Sequence, residues 1–476
     1  MKSTLQIHPT GSYFTPEGAI TARRGVAETY FLAAPLQFFL FAGKTGAMGY
    51  TQTEKVLSGH FRGGMTTGPV PGTGVTLTEE RFRSPVEFSL SDANTVSEIF
   101  SFLFRSREAE ERNREFSYYI MMPSASSGKS EGQIAYLAGD DCNRAGSGIH
   151  QPVNTAGDTV RLRQKGAGSG EGGSRGAIIL LHGLNERGWN KYIQWGAALA
   201  EGTGRPVVLF PHAWHMNRSP QTWVDRHIMT PLVAARTSLI PDTRLTTFVN
   251  VALSTRMTVS PQRFMLSGYQ TVRDLSAFIG MVRSGEVPGI TGGGPVDIFA
   301  YSIGALAAQV MMLAEPSPLP ADSRVMLFCG GSTFNMMNGT SKLIMDSRAF
   351  EMLLSFYLGW PSGSGSGKRD TFSSLMDDTP EGRAFYAMTS LQRLTAIYGA
   401  PFSRWDGRLR AVSLEGDRVI PPGAIREALR GADAEVWDAG YPCTHELPFP
   451  VLSGDQAGAV DRTFGRLFEN AVRFLS

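Results

Sequence analysis

The run Val296-Asp297-Ile298-Phe299-Ala300-Tyr301-Ser302-Ile303-Gly304-Ala305 constrains the fold most, because an apolar strand passes into a serine and then directly into a helix. A turn this sharp lifts the serine oxygen to the end of a sheet, where a base can reach it, and so reads as a nucleophile elbow. Ala300 and Gly304, each two residues from Ser302, keep the turn free of collisions with adjacent backbone. Glycine is usual at both flanks, and in a chain with 54 glycines the short pattern alone has little weight. Its surroundings decide its value.

From residue 176 onward, apolar strand runs alternate with helical patterns, as expected of a largely parallel sheet covered on both faces. Strands are expected at 116–122, 177–181, 207–210, 296–300, 325–329, 409–414 and 434–437. Helices are expected at 191–200, around Val272, Leu275, Ile279 and Val282, at 305–313, at 422–429, and along the stripe Val460, Phe464, Leu467, Phe468 and Leu475. Residues 111–476 thus read as one α/β domain with a Gly/Ser-rich insertion at 124–176 and lid-like insertions at 213–264 and 344–403. Residues 1–110 read as an N-terminal extension of unknown role. Within it Val96, Ile99, Phe100, Leu103 and Phe104 mark one helix, followed by a charged run at 105–115 taken as a solvated face.

Composition removes several classes of function. Lys+Arg 45 against Asp+Glu 43 leaves a net charge of +2, which offers no basic field for nucleic acid. Cys142, Cys329 and Cys443 are odd in number and scattered, which argues against a disulfide framework and for a reducing compartment. The opening residues have no charged-then-apolar leader pattern, and the apolar run 30–42 is shorter than the ~20 residues a membrane span needs. A cytoplasmic location without a transmembrane span is therefore expected. Gly168-x-Gly170-x-x-Gly173 has no strand before it and no helix after it, and Gly128-Lys129-Ser130 lacks the upstream glycine of a phosphate loop. No cofactor is expected. His212, His215, Asp225 and His227 fall on an irregular stretch with neither helical spacing nor a nearby cysteine, so no metal site is expected either.

A serine nucleophile needs a base, the base needs an orienting acid, and the reacting oxygen needs donors. After the strand at 409–414, Asp417 stands just past the strand end in a glycine turn; Glu415, Asp438 and Asp346 are alternatives for the acid. His445 is the only histidine after residue 227, and the order Ser, Asp, His leaves no other choice of base. The strand at 177–181 ends in His182-Gly183-Leu184-Asn185, where backbone N–H groups of Gly183 and Leu184, with that of Ile303, can form an oxyanion hole.

On these residues the chain resembles the α/β-hydrolase superfamily, in particular a bacterial branch of unknown function. That branch carries His-Gly-Leu-Asn-Glu-Arg, Phe-Pro-x-x-x-His-Met-Asn-Arg, Phe-x-Tyr-Ser-Ile-Gly and His-Glu-x-Pro-Phe, found here at 182–187, 210–218, 299–304 and 445–449. The resemblance implies a mostly parallel sheet with helices on both faces, an inserted lid and an N-terminal extension. It also implies hydrolysis of an ester, thioester or amide of a small-molecule acyl substrate through an acyl-enzyme on Ser302, with Asp417 and His445 as partners. Two other readings use the same residues: a non-catalytic binding protein on this fold, and an acyltransferase with a different acceptor. The oligomeric state is not readable.

The loop after residue 210 lies at the same sheet end as Ser302, so His215, Asn217 and Arg218 are expected to reach substrate, along with His182 and Tyr301. Arg218 either clamps an anionic substrate group or pairs with an acidic neighbour to pin the lid. His182 reads more simply as a structural histidine that holds the oxyanion loop. Trp223 and Met229 either line an acyl pocket or belong to the core.

Overall fold

The computed structural model of the chain describes residues 67–70, 73–86, 100, 103–104, 107–124, 176–360, 370–452 and 455–476, with a small antiparallel pair, Gln6–Ile7 and Tyr13–Phe14. Aliphatic and β-branched runs, most of them buried on both sides, build one sheet of nine strands among these residues. In chain order they are β1 (Gly68–Pro69), β2 (Val75–Arg83), β3 (Glu115–Pro123), β4 (Ala177–Leu181), β5 (Val207–Phe210), β6 (Val296–Tyr301), β7 (Val325–Phe328), β8 (Leu409–Leu414) and β9 (Asp433–Trp437). Across the sheet the order is β9-β8-β7-β6-β4-β5-β3-β2-β1. The six strands from β4 to β9 pair in parallel, whereas β3 runs antiparallel to both β5 and β2.

The helices that follow are α1 (Arg107–Arg114), α2 (Asn190–Thr203), α3 (Arg226–Leu239), α4 (Val251–Val259), α5 (Gln262–Ser284), α6 (Ile303–Leu313), α7 (Ser347–Gly359), α8 (Thr371–Asp378), α9 (Pro380–Met388), α10 (Leu391–Tyr398), α11 (Pro422–Ala428) and α12 (Asp455–Leu475). Side chains alternate across each strand, so one set of strand residues packs against α2 and α12 and the other against a layer that includes α5, α6 and α7. Ile178, Leu180, Phe299 and Phe328 join Trp195, Phe464 and Phe468 in the first layer. Ile179, Leu181, Ile298 and Leu327 join Leu275, Phe278, Met311 and Leu353 in the second. A mostly parallel sheet with one swapped pair near its start and helices on both faces is the α/β-hydrolase fold expected from the sequence.

Arg205 ties the far ends of this framework together. Its guanidinium pairs with Asp297 of β6 at 2.5 Å and donates to the carbonyls of Ala177, Pro295 and Leu475 at 3.1, 2.8 and 2.6 Å. The end of α12 is thereby fastened to the roots of β4 and β6.

Three expectations change. The division at residue 110 does not follow the sheet, because β2 pairs with β3 along its whole length and the boundary falls inside α1. The charged run is not wholly solvated: Asn113 is buried and its side chain donates to the Arg218 carbonyl at 3.0 Å. The insertions at 213–264 and 344–403 are largely helical and contribute Leu253, Met257, Phe350 and Leu353 to the core. They are also fastened to each other, since Arg236 of α3 forks onto Asp346 before α7 at 2.6 and 2.8 Å. Most of the helix expected from Val96 to Phe104, the insertion at 124–176 and the false motifs within it lie outside the described residues. No helix among the described residues is long and apolar enough to cross a membrane.

Candidate active site

Ser302 occupies the turn between β6 and α6 with φ 57° and ψ −118°, a backbone region that residues with a side chain rarely enter. Close packing on both sides holds it there. A Cβ on Gly304 would stand 2.8 Å from Leu181 Cβ, and one on Gly330 would stand 2.9 Å from the Ser302 carbonyl oxygen. Small residues at these positions let α6 start against the end of β4 and let the chain after β7 pass the elbow.

Ser302 Oγ lies 2.7 Å from His445 Nε2, and His445 Nδ1 lies 2.7 Å from Asp417 Oδ2. All three residues are buried. A carboxylate only accepts, so Nδ1 carries the proton and Nε2 is left to accept from the serine hydroxyl. Asp417 is held by its own loop: its Oδ1 accepts from the N–H groups of Val419 and Ile420, both at 2.9 Å. The other acids are placed elsewhere. Asp346 caps α7 and pairs with Arg236, while Glu415 and Asp438 are exposed. Beside Asp417, burial and the carboxylate's charge push the Cys329 thiol well above its usual range, so it stays protonated.

The loop after β4 is fixed by residues that sequence reasoning passed over. The Gly183 N–H donates to the Tyr192 hydroxyl at 3.0 Å, and that hydroxyl donates to Glu186 at 3.0 Å. Gly183 is therefore corrected from oxyanion donor to loop anchor, because its N–H is already spent on Tyr192. No acceptor engages the N–H groups of Leu184 and Ile303 among the described residues. Glu186 lies within the His-Gly-Leu-Asn-Glu-Arg string, but nothing in the sequence signals Tyr192.

Four of the five residues expected to touch substrate are instead structural. His182 is fully buried; its Nδ1 bonds the Gly183 carbonyl at 2.9 Å and its Nε2 accepts from the His212 N–H at 2.9 Å. The Asn217 amide donates to the Ser117 carbonyl at 2.8 Å. Arg218 has no exposed surface: it pairs with Asp274 of α5 at 2.9 Å, donates to the carbonyls of Pro211 and Asn113, and lies 3.8 Å from the Phe116 ring centre. A buried guanidinium needs that partner, which leaves it no reach toward a ligand. Tyr301 is buried, stacks on the His445 ring with centres 5.6 Å apart, and donates its hydroxyl to the His445 carbonyl. It positions the base rather than meeting substrate.

His215 is likewise buried, but it borders a cleft. With Leu184, Phe264, Ile303, Leu306 and Phe385 it lines a largely apolar cleft that borders both Leu184 and the start of α6. Met229 belongs to a separate core cluster with Leu232 and Val251. Burial drives the pKa values of His182, His212 and His215 far down, that of His212 to about 3, so the three rings are neutral. Asp225 caps α3, and His227 lies in its first turn. No group of three or more metal-ligating side chains suited to a cation occurs among the described residues.

A family model matches residues 166–476, more than half of the chain. The chain belongs to the family of unknown function DUF6051. Solved structures similar to this DUF6051 chain include a cold-adapted esterase from an Arctic intertidal metagenomic library, 10% identical over 83% of this chain and 94% of that one, with a TM-score of 0.31. Carboxyl esterase 2 from the mycorrhizal fungus Tuber melanosporum is 10% identical over 76% of this chain and 81% of its own, with a TM-score of 0.34. A highly thermostable carboxyl esterase from Bacillus coagulans is 11% identical over 84% and 99%, with a TM-score of 0.34. No curated protein sequence matches the chain.

Proposed function

We propose that this chain is a serine hydrolase that cleaves a carboxylic ester, or a thioester, of a small-molecule acyl substrate through an acyl-enzyme on Ser302. The unbroken relay from Ser302 through His445 to Asp417, with both links at 2.7 Å, is the observation that supports this reading. His445 takes the hydroxyl proton as Oγ bonds to the carbonyl carbon, and the carbonyl oxygen gains the negative charge. The N–H groups of Leu184 and Ile303, which no described acceptor engages, are the donors this reading assigns to that charge. Collapse re-forms the C=O and expels the alcohol or thiol, which takes the proton from His445; water then repeats the sequence to free the acid. Asp417 accepts from Nδ1 throughout and steadies the imidazolium. The apolar cleft against Leu184 and Ile303 suits the acyl chain.

A fluorophosphonate probe tests this directly. The wild-type chain is expected to label at Ser302 and to hydrolyse p-nitrophenyl esters, and Ser302→Ala to label not at all and to lose about 10⁴-fold or more in kcat. An unlabelled wild-type chain would leave a binding protein as the better account, and product analysis with added alcohols separates hydrolysis from acyl transfer.

A further inference from the structure

Three buried arginines of this chain obey the rule that a charge removed from water takes an opposite charge with it: Arg205 pairs with Asp297, Arg218 with Asp274 and Arg236 with Asp346. Beside the oxyanion loop the rule is broken. A second cavity shares Leu184 and His215 with the acyl cleft and is walled by Arg187 and Arg256 together with Trp214 and Trp223.

Arg256 is 3% exposed, yet it makes no ion pair and no side-chain hydrogen bond with any described residue. Its guanidinium rests 4.4 Å from the Trp214 ring centre and 4.5 Å from that of Trp223, and its Nε is buried without an acceptor. Arg187 lies 5.6 Å from the Trp223 ring centre, bonds Asn185 Oδ1 at 2.6 Å through Nη2, and also keeps a buried Nε without an acceptor. The Trp223 Nε1–H is a third buried donor with no partner among the described residues. Burial lowers the pKa of both arginines, that of Arg187 to about 10, and for Arg256 the charges of Arg263 and Arg187 add to the effect. A cavity that gathers cations and orphan donors matches a ligand whose oxygens only accept, and guanidinium forks match the flat pair of oxygens on a carboxylate or phosphate.

We propose that the cavity walled by Arg187 and Arg256 binds an anionic group carried by the substrate, a carboxylate or a phosphate, so that the preferred ester bears such a group near its scissile carbonyl. The substrate part of this inference rests on the esterase reading; the anion pocket itself does not. Leu184 lines both the acyl cleft and the anion cavity, so one loop borders both. The clamp that the sequence suggested for Arg218 is thereby reassigned to arginines that have no carboxylate of their own.

Two measurements on the full chain test it. In Ser302→Ala protein, millimolar inorganic phosphate or adipate is expected to raise the melting temperature, and the rise to vanish when Arg256→Gln or, separately, Arg187→Gln is added. In the active chain, the ratio of kcat/KM for the p-nitrophenyl monoester of adipic acid to that for p-nitrophenyl hexanoate is expected to fall about tenfold or more in Arg256→Gln. Absence of any shift with either anion overturns the pocket. A shift with phosphate alongside an unchanged ester ratio overturns the substrate-borne source and leaves a site for a free anion. If the wild-type chain hydrolyses neither ester, the esterase reading has failed while the melting experiment still decides the pocket.

Discussion

Ser302 is held in a conformation that costs about 1–3 kcal/mol, and the close approach of Leu181 and of the chain at Gly330 sustains it. Asp417 shows a different use of one side chain: one oxygen braces its own loop and the other orients His445. Asp417→Asn keeps an oxygen for the Val419 and Ile420 N–H groups but can present an NH₂ to Nδ1, which favours the wrong imidazole tautomer. The expected result is a kcat lower by about 10⁴-fold with a nearly unchanged melting temperature, read by ester hydrolysis and thermal unfolding of the same preparation. That Ser302, Asp417 and His445 would meet was legible in the sequence, because each follows a strand end in an order that few residues can satisfy. Tyr192, Tyr301 and Arg256 were not, because what each does depends on neighbours far along the chain. Arg218 and Arg256 look alike in sequence; only the folded surroundings give one of them Asp274.

At the level of elements, β4 to β8 could be read directly, since each is an apolar run bounded by turns, whereas β9, Asp-Ala-Glu-Val-Trp, gave a shorter and weaker signal. β2 could not. Its Glu79, Glu80, Arg81 and Arg83 give it a polar reading, and its place is fixed by full-length pairing with β3, which lies beyond α1. The insertions read as lids are helical layers joined by the Arg236–Asp346 fork. Burial raises the Asp346 pKa, but hydrogen bonds and the charge of Arg236 outweigh it and hold the carboxyl below its usual value. Asp346→Ala would strand a guanidinium that is 2% exposed and remove the α7 cap, at an expected cost of about 3–5 kcal/mol in urea unfolding. The double variant Arg236→Met with Asp346→Ala should recover part of that loss, because no unpaired charge remains.

For the molecule as a whole, the neutral trio His182, His212 and His215 sets a limit on acid tolerance. Their folded-state pKa values lie below the unfolded value near 6.5, so the unfolded chain takes up protons that the folded one refuses. Stability is complete above about pH 6.5 and declines as the pH falls, until His212 itself titrates near pH 3. Between pH 6.5 and 5, before most carboxylates protonate, the unfolding free energy should drop by up to about 1.4 kcal/mol per pH unit for each of these rings. Urea titrations at several pH values measure that slope, and a flat profile across this window would show the rings already charged in the native state. The order in which the relay's members occur along the chain also has a temporal meaning. Ser302 precedes its base by 143 residues, and the base follows the last strand. A ribosome therefore releases the Ser302 hydroxyl long before the His445 imidazole, so a growing polypeptide holds the elbow serine without its hydrogen-bond partner until the segment after β9 has emerged.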